Sequence, residues 1–164
     1  MGLFPLVMFD EISLGDANRC LQEWGHLMGP INRPMNGSVC SGGGDTAHGL
    51  YFEGKLVAVT TSTLITPNVA KHPELTRANT IEMSRLCSSS PHFCRVALRL
   101  WRECVFRPLK QPYAITYQDM DAHTGNTYRL DGWKKIAESR SGNDPRSGRK
   151  GRRKAIWLYE NATS

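Results

Sequence analysis

The chain has 164 residues, 40% of them hydrophobic and 22% charged, a balance that suits one domain (1–164) with a real core and excludes a disordered or collagen-like chain. No apolar run approaches the roughly 20 residues of a membrane helix, and Met1-Gly2-Leu3-Phe4-Pro5 lacks the basic start of a signal peptide, so a cytoplasmic protein without membrane contact is expected. The net charge of +6 is concentrated: residues 139–154 hold seven basic side chains (Arg140, Arg146, Arg149, Lys150, Arg152, Arg153, Lys154) and one acid, Asp144, leaving fourteen of each sign elsewhere.

Five cysteines (Cys20, Cys40, Cys87, Cys94, Cys104) make an odd count without a CxxC pair, which points to free thiols in a reducing compartment. Cys87, His92 and Cys94 lack the second ligand pair of a zinc site, so no metal is expected.

In chain order, Leu6-Val7-Met8-Phe9 is an apolar run fit for a first strand. Ser13 can start a helix whose apolar positions Ala17, Leu21, Trp24 and Leu27-Met28 recur at helical spacing until Gly29-Pro30 stops it. Residues 32–49 read as a long loop broken by Pro34, Asn36-Gly37 and Gly42-Gly43-Gly44. A hairpin follows, from Gly49-Leu50-Tyr51-Phe52 through the turn Glu53-Gly54-Lys55 into a β-branched strand over 56–64. Residues 80–87 predict another strand, ending in Ser88-Ser89-Ser90-Pro91.

A helical pattern covers 92–106, with Val96, Leu100 and Val105 to one side, and Pro108 and Pro112 close it. Tyr113-Ala114-Ile115-Thr116-Tyr117 is a strand, 123–130 a short helix stopped by Gly132, and 133–139 and 155–160 the last two strands, joined by the basic segment. Strand and helix alternate in the order of a mixed α/β protein.

Two junctions carry chemistry. At the strand-to-helix junction, Cys87, Ser88 and Ser89 precede His92, Phe93, Cys94, Arg95, Val96 and Ala97. A helix N-terminus presents backbone N–H groups and partial positive charge that suit a pyrophosphate, and Arg95 adds a full charge; equally, the serines can simply cap the helix. The second junction ends Tyr128-Arg129-Leu130-Asp131-Gly132-Trp133.

That Tyr-x-x-x-Gly-aromatic ending, between two strands, resembles the GNAT (Gcn5-related) N-acyltransferase superfamily. The resemblance implies an α/β fold with a mixed central sheet, a cleft between the fourth and fifth strands, and an acyl-CoA donor such as acetyl-CoA. It also implies that Tyr128 lies near the coenzyme sulfur and protonates the departing thiolate. The stretch from His92 to Ala97 falls where the superfamily keeps its Q/R-x-x-G-x-G/A pyrophosphate loop: Ala97 fits the last position, whereas Arg95 replaces the first glycine and His92 the Gln or Arg. The asparagine usual seven residues before the tyrosine is replaced by Asp121, and Asn126 can serve in its place.

Within the superfamily the segments Ile81-Glu82-Met83-Ser84-Arg85-Leu86, Tyr113-Ala114-Ile115-Thr116-Tyr117-Gln118-Asp119 and His123-Thr124-Gly125-Asn126-Thr127-Tyr128-Arg129 are similar to the Mom-type phage DNA-modification proteins. This likeness implies an exocyclic base amine of DNA as acceptor, in an anti-restriction role within a bacterial host cell. It also carries over Arg85, Asp119 and Tyr128 as catalytic residues.

The chemistry is consistent with those three. An amine must lose a proton, an oxyanion needs donors, and a thiolate must leave. Asp119 can accept the proton or orient the amine, Arg85 can stabilise negative charge, and Glu82 is the reserve base; alternatively Asp119 caps the next helix and Arg85 pairs with Glu82 or Glu103. The basic segment, with Arg146, Arg149, Lys150, Arg152, Arg153 and Lys154, can neutralise phosphates of DNA. His48, Tyr51 and Trp101 can stack on bases or pack in the core. A small-molecule or protein amine is the alternative acceptor.

Overall fold

The structure, a computed structural model, describes residues 6–31, 45–65, 69, 71–140, 142–143 and 150–161. Their elements are β1 (Val7–Ile12), α1 (Leu14–Glu23), β2 (Thr46–Phe52), β3 (Lys55–Leu64), β4 (Thr80–Ser88), α2 (Pro91–Leu100), β5 (Tyr113–Asp119), α3 (Asn126–Leu130), β6 (Lys134–Arg140) and β7 (Arg153–Glu160). One sheet of seven strands joins them in the order β1-β2-β3-β4-β5-β7-β6. All neighbours are antiparallel except β4 and β5, which run parallel.

Strand alternation places the two main helices on opposite faces. Val59 packs with Cys20 and Leu21 of α1, while its neighbour Ala58 packs with Ala97 of α2. In the C-terminal half of the sheet, Ala114, Ala155 and Trp157 face Leu98, Trp101, Phe106 and Trp133, whereas Ile115, Ile156 and Leu158 face Ile65, Val69 and Leu75. The connection between β3 and β4 thus takes the place of a helix on that face.

Several boundaries differ from the sequence reading. Ser13 does open α1, its Oγ accepting from the Asp16 N–H at 3.0 Å, but Gly25 at φ +66° ends it a turn early and leaves Leu27 and Met28 beyond the helix. β2 starts at Thr46, inside the stretch read as loop, because its backbone from Thr46 to His48 already pairs with β3 and, from Ala47, with β1. The long helix is α2 followed by a π-helical turn (Trp101–Phe106) and a 3-10 turn (Arg107–Leu109); of its predicted apolar side Leu100 and Val105 pack against the core, but Val96 does not. Ala97, Leu98, Trp101 and Phe106 are buried, whereas Val96 is 43% exposed. Trp101 is therefore core, its indole N–H donating to Ser62 Oγ at 2.8 Å, and His48 stacks on Phe9.

α3 is only five residues, and β7 begins at Arg153, which withdraws Arg153 and Lys154 from the loop and sets them on a strand. Arg146 and Arg149, like Cys40 and the glycine run 42–44, lie outside the described residues.

A half-buried ion pair ties the π-helical turn to the end of α3. Arg102 donates through Nε and Nη2 to the two Asp131 oxygens at 3.0 and 3.2 Å, and the Trp133 indole N–H donates to the same carboxylate at 3.2 Å. With side-chain exposures of 12% and 6%, neither partner has ready access to water if the other is lost. Asp131→Asn should therefore lower stability by about 3 kcal/mol, read as an earlier midpoint in urea unfolding with an unchanged slope.

Candidate active site

β4 and β5 share their parallel ladder only over residues 80–82 and 113–115. Beyond that point β4 carries an extra residue: Thr61 faces Arg85 and Ser62 faces Met83, so Ser84 is bulged out of the β3 pairing. Its hydroxyl contacts Thr61 Oγ1 at 2.8 Å. A bulge bends its strand and sharpens the local twist, which helps turn β4 away from β5. The Met83 carbonyl is served by the Thr116 hydroxyl at 2.9 Å. The parted strands open a cleft of about 810 Å³, lined by β4 from Glu82 to Ser88, the β5 end, the first turn of α2, residues 24–28, residues 122–128, Arg152 and Lys154.

Tyr128 forms part of the inner wall. Its ring stacks on Trp157 (5.7 Å between centroids, 28°) and meets Trp133 edge-on at 6.0 Å. Burial pushes the phenol up to about 12, only partly opposed by its hydrogen bond with Thr116. Cys87 on the same cleft is pushed up to about 11 by burial. Cys94, whose Sγ lies 3.0 Å from Ser88 Oγ, is raised for the same reason. Desolvation at these three groups favours their protonated forms.

The opposite part of the cleft is polar. Asp119 Oδ1 accepts from the Asp121 and Ala122 amides at 2.9 and 3.3 Å, closing the turn after β5, while Oδ2 faces Arg152 Nε at 3.6 Å. Arg152 also reaches the Leu27 carbonyl at 3.5 Å, and Arg85 donates to the carbonyls of Gly29 (3.3 Å) and Ser84 (2.8 Å). These two arginines hold the segment after α1 against the mouth of the cleft. Asn18 anchors the far end of that segment, exchanging two hydrogen bonds with the Ile31 backbone. His26, on this segment, accepts the Met28 N–H on Nδ1 at 3.2 Å, so the proton of its neutral ring sits on Nε2. Burial first, then the charges of Arg85, His123 and Arg152, lower it to about 4.

Of the residues singled out from sequence, Arg85, Asp119, Tyr128, Cys87, Ser88, Cys94, Asn126, Arg152 and Lys154 meet around this one cleft. The others of the α2 junction stand away from its wall. Ser89 donates to the Val57 carbonyl at 3.2 Å, Phe93 packs on Phe52, and His92 pairs with Ser90 Oγ at 3.0 Å. Arg95 and Val96 are exposed, and Ala97 is sealed beneath the sheet. No side chain caps the start of α2, so the serines do not perform the capping role open to them; Pro91 occupies its first turn. Lys150 is exposed and Arg153 pairs with Asp121 at 3.0 Å.

Asn126 holds Arg129 through its side-chain oxygen at 2.8 Å. Among the described residues no three His, Cys, Asp or Glu groups gather closely enough to hold a metal, and no helix is long and apolar enough to cross a membrane. The sequence reading missed residues 24–28, His123 and Gln118. His26 follows the helix without any spacing signal, while Gln118 sits inside a segment already singled out, beside Asp119.

No family model matches this chain, and no curated protein matches it either. Solved structures do. The ribosomal-protein-S18-alanine N-acetyltransferase of Escherichia coli is 11% identical with a TM-score of 0.65, the match covering 97% of this chain and 96% of that one. Arabidopsis thaliana NAA60 in complex with acetyl-CoA is 10% identical with a TM-score of 0.63, covering 94% and 98%. A Chromobacterium violaceum protein described as of the GNAT family is 11% identical with a TM-score of 0.62, covering 94% and 87%. At such identities the likeness is one of fold, and the fold is that of GNAT acetyltransferases, with the parted parallel pair at its centre.

His26 makes the stability of this side of the cleft pH-dependent. Its folded value of about 4 lies below the ordinary 6.5, so between those limits the unfolded chain binds a proton that the folded chain does not. Stability is then full above pH 6.5 and declines as pH falls toward 4, by about 3 kcal/mol at most. The urea midpoint should fall across that window, and His26→Gln should flatten the slope.

Proposed function

We propose that this chain is an acyl-CoA-dependent N-acyltransferase whose acceptor is an exocyclic amine on a DNA base, as the Mom-type resemblance implies. The observation that carries the reading is Tyr128, a half-buried tyrosine stacked on Trp157 in the inner wall of a cleft opened between parallel strands. The residues present fit a coenzyme A thioester. The cleft runs from the uncapped start of α2, suited to phosphate, past the parted edge of β4 to Tyr128, and its volume holds an extended ligand.

The thioester supplies the acyl group when bound. Asp119, held by two backbone amides and facing Arg152, is placed to orient the amine or take its proton, with Glu82 on β4 as the second carboxylate on the cleft. The amine nitrogen bonds to the carbonyl carbon, the carbon–sulfur bond breaks, and Tyr128 passes its hydroxyl proton to the leaving sulfur. An ordinary tyrosine near 10 is a weak donor to a thiol near 8.5. Burial raises Tyr128 and the thiols of this cleft together, as Cys87 and Cys94 show, so the phenol keeps its proton until negative charge develops on the leaving sulfur. Arg85 supplies positive charge where negative charge develops.

Support for a nucleic-acid acceptor comes from the position of the cations. Arg152 and Lys154 line the cleft itself, Lys150 and Arg153 stand exposed beside it, and the charge excess of the whole chain lies in this one segment. The second reading, a protein or small-molecule amine, is favoured by the neighbours, one of which acts on an alanine of ribosomal protein S18.

Incubation with acetyl-CoA and DNA, followed by mass spectrometry of the digested nucleosides, should show an acyl mass increment on one base. A peptide or polyamine acylated while DNA stays unchanged would establish the second reading. Tyr128→Phe should keep coenzyme A binding and lower kcat by about 10²-fold, and full turnover would remove the assigned role. Neutralising Lys150 and Arg153 together should weaken DNA binding and shallow its salt dependence by about 2 in log–log slope, with turnover on DNA falling in parallel. Unchanged DNA binding and turnover would remove the role assigned to these two cations.

A further inference from the structure

We infer that Gln118 is a positioning residue for Tyr128, acting through Trp157 and the Gly125 turn; this rests on the reading of Tyr128 as the proton donor. Gln118 lies near the end of β5 and is buried. Its side-chain oxygen accepts the Trp157 indole N–H at 2.8 Å, and its nitrogen donates to the carbonyls of His123 at 2.5 Å and Asp119 at 3.4 Å. Both ends of the amide are used, which is what lets a polar side chain stay in an apolar place.

Each end reaches Tyr128 by a different route. Trp157, held by the oxygen, is the surface on which the Tyr128 ring stacks at 5.7 Å. The nitrogen holds the turn at residues 123–125, whose Gly125 carbonyl accepts the Tyr128 N–H at 3.2 Å and the Arg129 N–H at 3.1 Å. One amide therefore orients both the ring and the backbone of the same tyrosine.

Gly125 shows how closely these parts meet. Its φ is +78°, and a Cβ there would lie 2.5 Å from Trp157 Cζ2 and 2.7 Å from Gln118 Oε1. The turn can pass over the Trp157–Gln118 bond only without a side chain. Methionine at 118 would fill similar volume without needing hydrogen-bond partners, so an amide here has a use beyond packing. In this cleft that use is the seat of Tyr128.

The experiment combines turnover with a local probe in the full chain. Gln118→Met should lower kcat by about 10- to 100-fold while the KM for acetyl-CoA changes by less than about twofold. Placed on Tyr128→Phe, the same substitution should add no further loss, because the group it positions is already gone. In protein carrying ring-labelled tyrosine, the Tyr128 resonance, assigned by its disappearance in Tyr128→Phe, should move in Gln118→Met as stacking on Trp157 is lost.

Equal losses in both backgrounds, or an unmoved resonance, would overturn the inference. Should Gln118→Met not fold, Trp157→Phe removes the same hydrogen bond from its other end and should give the same three results. Full turnover in Tyr128→Phe alone would instead overturn the reading of the tyrosine as donor, while the resonance still decides whether Gln118 seats the ring.

Discussion

The parting of β4 from β5 is the constraint on which the rest of this molecule depends. Two neighbouring parallel strands normally exchange hydrogen bonds along their shared length, since buried backbone groups must be paired. Here the exchange stops after three residues. What replaces it is local: the Thr116 hydroxyl serves the Met83 carbonyl, and Arg85 serves the Ser84 carbonyl beside the bulge. The strand edge freed in this way becomes the wall of a cleft, and Arg85, Asp119, Tyr128 and Arg152 are arranged about that opening.

Holding a sheet open requires rigid walls. On one side an aromatic cluster of Trp101, Trp133, Trp157, Tyr128 and Tyr159 fills the space beyond β5, fastened by the Arg102–Asp131 pair and the Gln118 amide. On the other, Arg85 and Arg152 bind carbonyls of the segment after α1 and bring His26 to the cleft. The two walls differ in kind. On the aromatic wall burial keeps a phenol protonated, whereas on the polar wall burial first, and then the positive charge of Arg85 and Arg152, keeps His26 neutral.

Much of this was legible along the chain where periodicity is strong. The β-branched run 56–64 and the strand before Ser88-Ser89-Ser90-Pro91 stand where the pattern placed them, the first lengthened by Lys55, and element order agrees throughout. The faces were less legible. Val96, Leu100 and Val105 have helical spacing, yet the fully buried stripe runs through Ala97, Leu98 and Trp101, where α2 meets the sheet before widening into a π-helical turn. Arg153 and Lys154 read as loop because two cations in sequence seldom start a strand. Pairing with Arg140 and Ser139 on one side, and of Lys154 with Asp119 on the other, draws them into β7.

By itself the sequence determined the alternation of strands and helices, the single concentration of charge, and the Tyr128-to-Trp133 ending on which the GNAT resemblance rests. These are local properties, written in spacing and composition within a few residues of each other. Only the tertiary structure decided which side chains share the cleft: His26 from beyond α1, Arg85 from β4, Gln118 and Asp119 from β5, Tyr128 from α3 and Arg152 from beside β7. Their convergence depends on where two strands stop exchanging hydrogen bonds and on how one amide holds a tryptophan against a tyrosine. Those contacts join residues up to 125 positions apart, and no periodicity in the chain records them.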